Sequence, residues 1–136
     1  ARIRDEAAQA SRPVVLIGHS MGAVTGCLIA ADLPNIVGAM LVAPASPRVL
    51  LTLDNVDPAF AHRPQRRLDF PCLLVASRND EYATYEESTE RASALGATLV
   101  DAGDSGHLNP DSGHGPWPEG LMRFAHFLNQ VKPRGG

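Results

Sequence analysis

No apolar run in this 136-residue sequence approaches the roughly 18 residues that a membrane-spanning helix needs. The opening stretch, with Arg2, Arg4, Asp5 and Glu6, is no secretory signal peptide. An excess of one charge is lacking too. Twelve basic residues against 15 acidic ones leave a net charge of −3, which attracts neither nucleic acid nor an anionic membrane. Cysteine is scarce, and Cys27 and Cys72 fall in a predicted helix and a predicted buried strand, where reduced thiols are expected rather than a disulfide. These absences point to a cytoplasmic protein with no nucleic-acid and no membrane partner. Gly18-His19-Ser20 breaks the glycine spacing of a dinucleotide-binding turn, and no Gly-Lys-Ser/Thr forms a phosphate loop. No His, Cys and Glu spacing resembles a metal site, so no metal and no cofactor are expected.

What is present is the composition of a globular chain, 44% hydrophobic and 20% charged, long enough for one domain with a real core. Four short apolar runs, Val14–Ile17, Ile36–Val42, Cys72–Ala76 and Thr98–Val100, alternate with helical stretches. Strands that are apolar throughout and separated by helices predict an α/β fold, a parallel sheet with helices on both faces. The chain opens with Ala1 inside a polar, helix-like stretch (Ile3 to Ala10) that fits a crossover helix before the first strand. The expectation is therefore one domain over 1–136 that forms the C-terminal portion of a longer one. With strands in sequence order, Val14–Ile17 lies at one end of the sheet. It has no charge or proline to protect an edge, so self-association is expected.

Local signals set the helix boundaries. Pro34 stops the helix Met21–Asp32, because proline disfavours helical geometry in the residue before it. Thr84-x-x-Glu87 reads as a capping box that opens the helix Tyr85–Leu95. Ser88, Ala92 and Leu95 form its inner stripe, Glu87 and Arg91 pair on its outer face, and Gly96 ends it. In a last helix, Glu119–Val131, the spacing of Leu121, Phe124, Leu128 and Val131 predicts core positions and leaves His126 on the surface. The stretch Ala43–Phe70 carries Pro44, Pro47, Pro58 and Pro64 and is long for a connection. Two readings stay open for it: a lid or acyl pocket lined by Val49–Leu53, or a surface loop with no catalytic part. Arg63, Arg66 and Arg67 are expected to be solvated, and His62 has no partner pattern.

Gly18-His19-Ser20-Met21-Gly22 sits between the run Val14–Ile17 and a helix. Gly-x-Ser-x-Gly in that setting is the nucleophile elbow of α/β-hydrolases. A sharp strand-to-helix turn forces the serine into a strained conformation with its hydroxyl standing clear of the sheet. Small residues two before and two after let the chain fold back. The turn also puts the Met21 amide at a helix N-terminus, a donor for a developing oxyanion.

An activated serine needs a base, and the base needs an orienting carboxylate. In this fold they follow in the order Ser, Asp or Glu, His, each on a loop after a strand. Asp80 lies four residues past the Cys72–Ala76 run, whereas Asp54, Asp57 and Asp69 precede it. Glu81 is second choice, and Asp101 and Asp104 crowd the last loop. His107 follows the last strand, with Gly106 freeing the backbone to bring the imidazole over Ser20. His114, seven residues on in a Gly/Pro-rich loop, is its competitor. His19 is expected to point away from the attacking hydroxyl, bordering the acyl pocket or merely packing.

Three segments carry a family resemblance: Gly18-His19-Ser20-Met21-Gly22-Ala23, Ser77-Arg78-Asn79-Asp80-Glu81-Tyr82, and Gly106-His107-Leu108-Asn109 with Ser112-Gly113 and Trp117-Pro118-Glu119-Gly120. From about Pro13 to Leu128 the chain resembles small serine hydrolases of the retinoblastoma-binding protein 9 type, particularly their bacterial members. The resemblance implies Ser20 as nucleophile, Asp80 as acid and His107 as base. Glu81 stands where that family often has proline. The Leu-x-Cys-x-Glu motif linked with retinoblastoma binding is absent around Cys27 and Cys72, so that partner is not carried over. Family members begin with a strand, a His-Gly-type loop that supplies the second oxyanion amide, a helix and another strand; none of these is in this sequence.

The sequence thus predicts an α/β-hydrolase-fold serine hydrolase. It is expected to cleave small carboxylic esters or amides through an acyl-enzyme on Ser20, with Asp80, His107 and the Met21 amide. The alternative is a non-catalytic binding scaffold, or an incomplete hydrolase fragment without turnover.

Overall fold

The computed structural model describes residues 2–30, 32–54 and 66–131. The elements run α1 (Arg2–Gln9), β1 (Val14–His19), α2 (Met21–Ala30), β2 (Ile36–Val42), α3 (Pro47–Leu50), β3 (Cys72–Ala76), α4 (Tyr85–Leu95), β4 (Thr98–Asp101), a 3-10 turn (Pro110–Ser112) and α5 (Pro118–Leu128). The four strands form one parallel sheet in the order β1-β2-β3-β4. Parallel strands joined by crossovers bring all four C-terminal strand ends to one edge of the sheet, where ligand sites of open α/β sheets form.

The two faces sort by alternation along each strand. On one face Ile36, Ala39, Leu41, Cys72 and Leu74 pack with Ala23, Cys27 and Ile29 of α2 and Ala92 and Leu95 of α4. On the other, Met40, Val42 and Val75 pack with Leu108, Trp117 and Phe124. Ile36 and Ala39 share a face despite their odd spacing because the β1–β2 register shifts between Val14 and Val15, which inserts one residue of β2. Helix α2 is apolar nearly all round. Val24 and Leu28 meet Ala45 and Leu50 of the α3 segment on the side away from the sheet. Each fully buried aliphatic side chain contributes about 1.5–3 kcal/mol, so these layers hold the strand ends firmly.

Helix α4 follows its local signals. The Thr84 hydroxyl accepts from the Glu87 amide, the Glu87 carboxylate accepts from the Thr84 amide, and Gly96 closes the helix in the left-handed region at φ 71°. Ser88, Ala92 and Leu95 are buried as expected. Arg91 departs from expectation. It is only 7% exposed, close to Cys27 of α2, and burial pulls its guanidinium below the usual value. Glu87 pairs instead with Arg48 at 3.2 Å. Arg66 also has a partner, Asp32, which Arg4 approaches at 3.7 Å.

Helix α5 carries the second correction. Leu121 is 70% exposed and Leu128 is exposed as well, while Gly120 and Phe127 are buried. The contact stripe is Gly120, Phe124 and Phe127, continued by Val131 past the helix end, so Phe124 and Val131 pack as predicted while Gly120 and Phe127 replace Leu121 and Leu128. Two close approaches fix this stripe. A Cβ on Gly120 would meet the Trp117 ring at 2.1 Å, and one on Gly38 of β2 would meet Val131 at 2.9 Å and Phe127 at 3.3 Å. His126 is exposed, as predicted. At the sheet's end β1 has, among the described residues, a neighbour on one side only, and Ile17 is 58% exposed. Among the described residues no helix is long and apolar enough to cross a membrane.

Candidate active site

The turn from β1 into α2 is as sharp as its glycine demands. A Cβ on Gly18 would lie 2.8 Å from the Ala23 backbone, so only glycine lets the helix fold back on the strand. Gly22 is different: a Cβ there meets nothing within 4 Å, which corrects the expectation that both flanking residues must be small. Between them Ser20 adopts φ 55°, a left-handed conformation that non-glycine residues hold only when the surroundings impose it. Its amide donates to the Val42 carbonyl at 3.0 Å, and its carbonyl accepts from Val24 at 3.3 Å and Ala45 at 3.4 Å. The Met21 amide, first in α2, is without a hydrogen-bond partner among the described residues, at the positive end of the helix.

Asp80 and His107 arrive from the loops after β3 and β4. The His107 Nδ1–H donates to Asp80 Oδ1 at 2.9 Å, with Oδ2 at 3.1 Å. That leaves Nε2 with its lone pair, and it accepts from the Ser20 hydroxyl at 2.8 Å. His107 is buried, and the Asp80 and His107 side chains are 3% and 7% exposed. The Tyr82 amide gives Asp80 Oδ1 a further donor at 2.9 Å.

The loop geometry explains the unusual motif around His107. Gly106 at φ 60° and Leu108 at φ 55° turn the chain sharply on either side of it, and a Cβ on Gly106 would strike Ser112 at 2.5 Å. Asn109 caps the 3-10 turn. Its side chain accepts from the Ser112 amide, the Ser112 hydroxyl accepts from the Asn109 amide, and Gly113 ends the turn at φ 89°. Trp117 and Pro118 then start α5, with proline in the first turn where its missing N–H costs nothing.

The family model described as serine hydrolase matches residues 1–126. The chain belongs to the serine hydrolase family. A protein of Pectobacterium atrosepticum described as a YdeN-like hydrolase is 36% identical, with a TM-score of 0.79 over 96% of this chain and 68% of its own. The ydeN gene product of B. subtilis is 20% identical (TM-score 0.68; 85% of this chain, 65% of its own), and the esterase domain of a Rhodothermus marinus protein is 21% identical (TM-score 0.63; 82% and 60%). These last two share the fold. The chain thus spans about two thirds of the length of the solved structures it resembles. No curated protein matches it significantly.

The other residues singled out in this serine hydrolase family member fall elsewhere. Glu81 is exposed and, with Asn79, Asn109 and Asp111, lines a cavity of about 200 Å³ beside His107. His114 stays outside the Ser20 cluster; its Nδ1 is 3.4 Å from the Ser112 hydroxyl and its ring meets the Trp117 edge. Both line a 550 Å³ cleft with Asp101, Glu119 and Arg123 that includes neither Ser20 nor Asp80. Leu50 is buried against α2, while Leu51 and Leu53 are exposed. The rest of the suspected lid, 55–65, lies outside the described residues, as do His62 and Arg63. Cys27 and Cys72 are buried and form no disulfide. Burial, reinforced by Cys27, pushes the Cys72 thiol up to about 12.

Two groups make contacts at the site that the sequence did not announce. Buried Ser77 and exposed Asn79 tie the Asp80 loop to the His107 loop. The Ser77 hydroxyl accepts from the Ser105 amide at 2.9 Å, and Asn79 Oδ1 accepts from Ser77 at 2.8 Å and from the Gly106 amide at 2.7 Å. Both stand in the segment that carries the family resemblance, but a short polar side chain after a strand end is too common to assign this tie from sequence. Rings form the second group: Tyr82 and His19 lie 4.3 Å and 4.8 Å, centroid to centroid, from the His107 imidazole.

Proposed function

We propose that this serine hydrolase cleaves small carboxylic esters or amides through an acyl-enzyme on Ser20. One observation carries the reading: Ser20, His107 and Asp80 form an unbroken hydrogen-bonded chain, 2.8 Å and 2.9 Å long at its two links. His107 Nε2 takes the proton as Ser20 Oγ attacks the carbonyl carbon, and Asp80 holds the imidazole in the tautomer that leaves Nε2 unprotonated. The imidazolium formed is stabilised by the same carboxylate and returns its proton to the leaving alcohol or amine. Water activated by His107 then attacks the acyl carbon and frees Ser20. The Met21 amide donates to the oxyanion in both tetrahedral intermediates, a role worth about a hundred- to a thousandfold in rate.

Within the family, Gly106-His107-Leu108-Asn109 and Trp117-Pro118-Glu119-Gly120 support placement with the retinoblastoma-binding protein 9 type, without its namesake partner. The esterase described for the Rhodothermus marinus domain supports esters as the first substrates to try. The test is hydrolysis of p-nitrophenyl esters of increasing acyl length. Turnover with a burst of p-nitrophenol that Ser20→Ala removes is expected; wild-type turnover in Ser20→Ala would refute the reading.

A further inference from the structure

The His107 carbonyl has a single hydrogen-bond partner among the described residues, and it is a side chain. His19 Nε2 lies 2.7 Å from that oxygen. A carbonyl only accepts, so His19 carries its proton on Nε2 and donates. The contact joins the residue before the nucleophile to the main chain of the base, 88 positions away. It does so where the backbone is least able to hold itself: left-handed turns flank His107 on both sides, at Gly106 and Leu108. The His19 ring also lies against the imidazole, centroids 4.8 Å apart and planes inclined at 50°.

We propose that His19 is a positioning residue, whose Nε2–H fixes the His107 main chain relative to the elbow and so sets the Ser20–His107 contact. This rests on the catalytic reading of Ser20 and His107 above. Two tethers run in parallel from adjacent residues: Ser20 Oγ–H to the imidazole, and His19 Nε2–H to the backbone behind it. The first is lost in each turnover once Ser20 Oγ is acylated and has no proton to give. The second persists throughout, so it keeps the base in place while the first is absent. His19 touches neither the reacting oxygen nor Asp80 in any hydrogen bond of the structure, so its effect falls on rate rather than on substrate affinity. Misplacing a reacting group by an ångström costs about a hundredfold, and losing one of two tethers is expected to cost about ten- to hundredfold.

Three substitutions separate the donor from the ring. Gln places an amide N–H close to the Nε2 position without a ring, Phe keeps a ring without a donor, and Ala keeps neither. On a p-nitrophenyl ester, with thermal unfolding measured alongside, His19→Phe and His19→Ala are expected to lower kcat about ten- to hundredfold with KM within about twofold. His19→Gln is expected to recover most of the loss. Wild-type kcat in His19→Phe, or a His19→Gln as impaired as His19→Ala, overturns the proposal. So does a loss confined to KM. Ser20→Ala run in parallel distinguishes the two failures: if it is inactive while the His19 variants match wild type, only the positioning role falls. If Ser20→Ala is itself active, the catalytic reading falls and takes this proposal with it.

Discussion

Alanine at Gly18 and alanine at Gly22 are expected to act in opposite directions, although both positions belong to the same five-residue motif. At Gly18 the new methyl stands 2.8 Å from Cα and N of Ala23 and 2.9 Å from the carbonyl carbon of Gly22. All three are backbone atoms, and Ala23 is wholly buried, so no side chain can swing aside. Relaxed carbon contacts need about 3.5 Å, so the elbow must open by roughly 0.7 Å. Overpacking of this kind costs about 1–3 kcal/mol of stability. The shift displaces Ser20 from a 2.8 Å contact with His107, so a kcat loss of about ten- to hundredfold is expected. At Gly22 the methyl enters open space in the first turn of α2, and replacing a helical glycine gains up to about 1 kcal/mol. The assay is kcat for a p-nitrophenyl ester together with thermal unfolding of both variants. Gly18→Ala should melt lower and turn over slowly; Gly22→Ala should melt at or above wild type and stay within a few-fold in rate. A Gly18→Ala variant with wild-type kcat and melting temperature, or the reverse ranking, would refute the reasoning.

Three other outcomes follow from the same geometry. Asp80→Asn should lower kcat by about four orders of magnitude, because an amide favours the wrong imidazole tautomer, whereas Glu81→Gln should be mild; steady-state kinetics with the two ranks exchanged would give the role to Glu81. Phe127→Ala should cost about 3–5 kcal/mol in urea unfolding, since its ring is 1% exposed, while Leu121→Ala should stay within about 0.5 kcal/mol. For Cys72 the folded thiol titrates at about 12 and the unfolded one near 9.0, so its contribution is complete below pH 9 and is lost as pH rises toward 12. The slope is about 1.4 kcal/mol per pH unit. Urea unfolding between pH 8 and 10.5 should be less pH-sensitive in Cys72→Ala, and equal slopes in the two proteins would contradict that origin.

The layers of this fold were legible because its strands are apolar throughout and its helix signals are local. Ile36–Val42, Cys72–Ala76 and Tyr85–Leu95 stand where the sequence places them, down to the Thr84 cap and the Gly96 stop. What failed depended on contacts that a helix's own periodicity does not carry. The stripe of α5 could be drawn at helical spacing through Leu121 or through Gly120, and only the Trp117 ring and the approach to Gly38 decide between them. Arg91 looked like an outer-face partner for Glu87 by spacing alone, but Arg48 takes Glu87 from another element. At the site, order along the chain brought Ser20, Asp80 and His107 forward, because each must follow a strand. His19 was read as bordering the acyl pocket or merely packing, since its partner is a backbone oxygen 88 residues away. No side-chain pattern announces such a bond.

The central claim is that Ser20 is the nucleophile, and active-site labelling tests it most directly. The protein is treated with a fluorophosphonate, digested, and the adduct located by mass spectrometry. The account predicts one modified residue, Ser20, with labelling lost in Ser20→Ala and strongly slowed in His107→Ala but not in His114→Ala. An adduct on any other residue, or labelling that persists in Ser20→Ala, would contradict it.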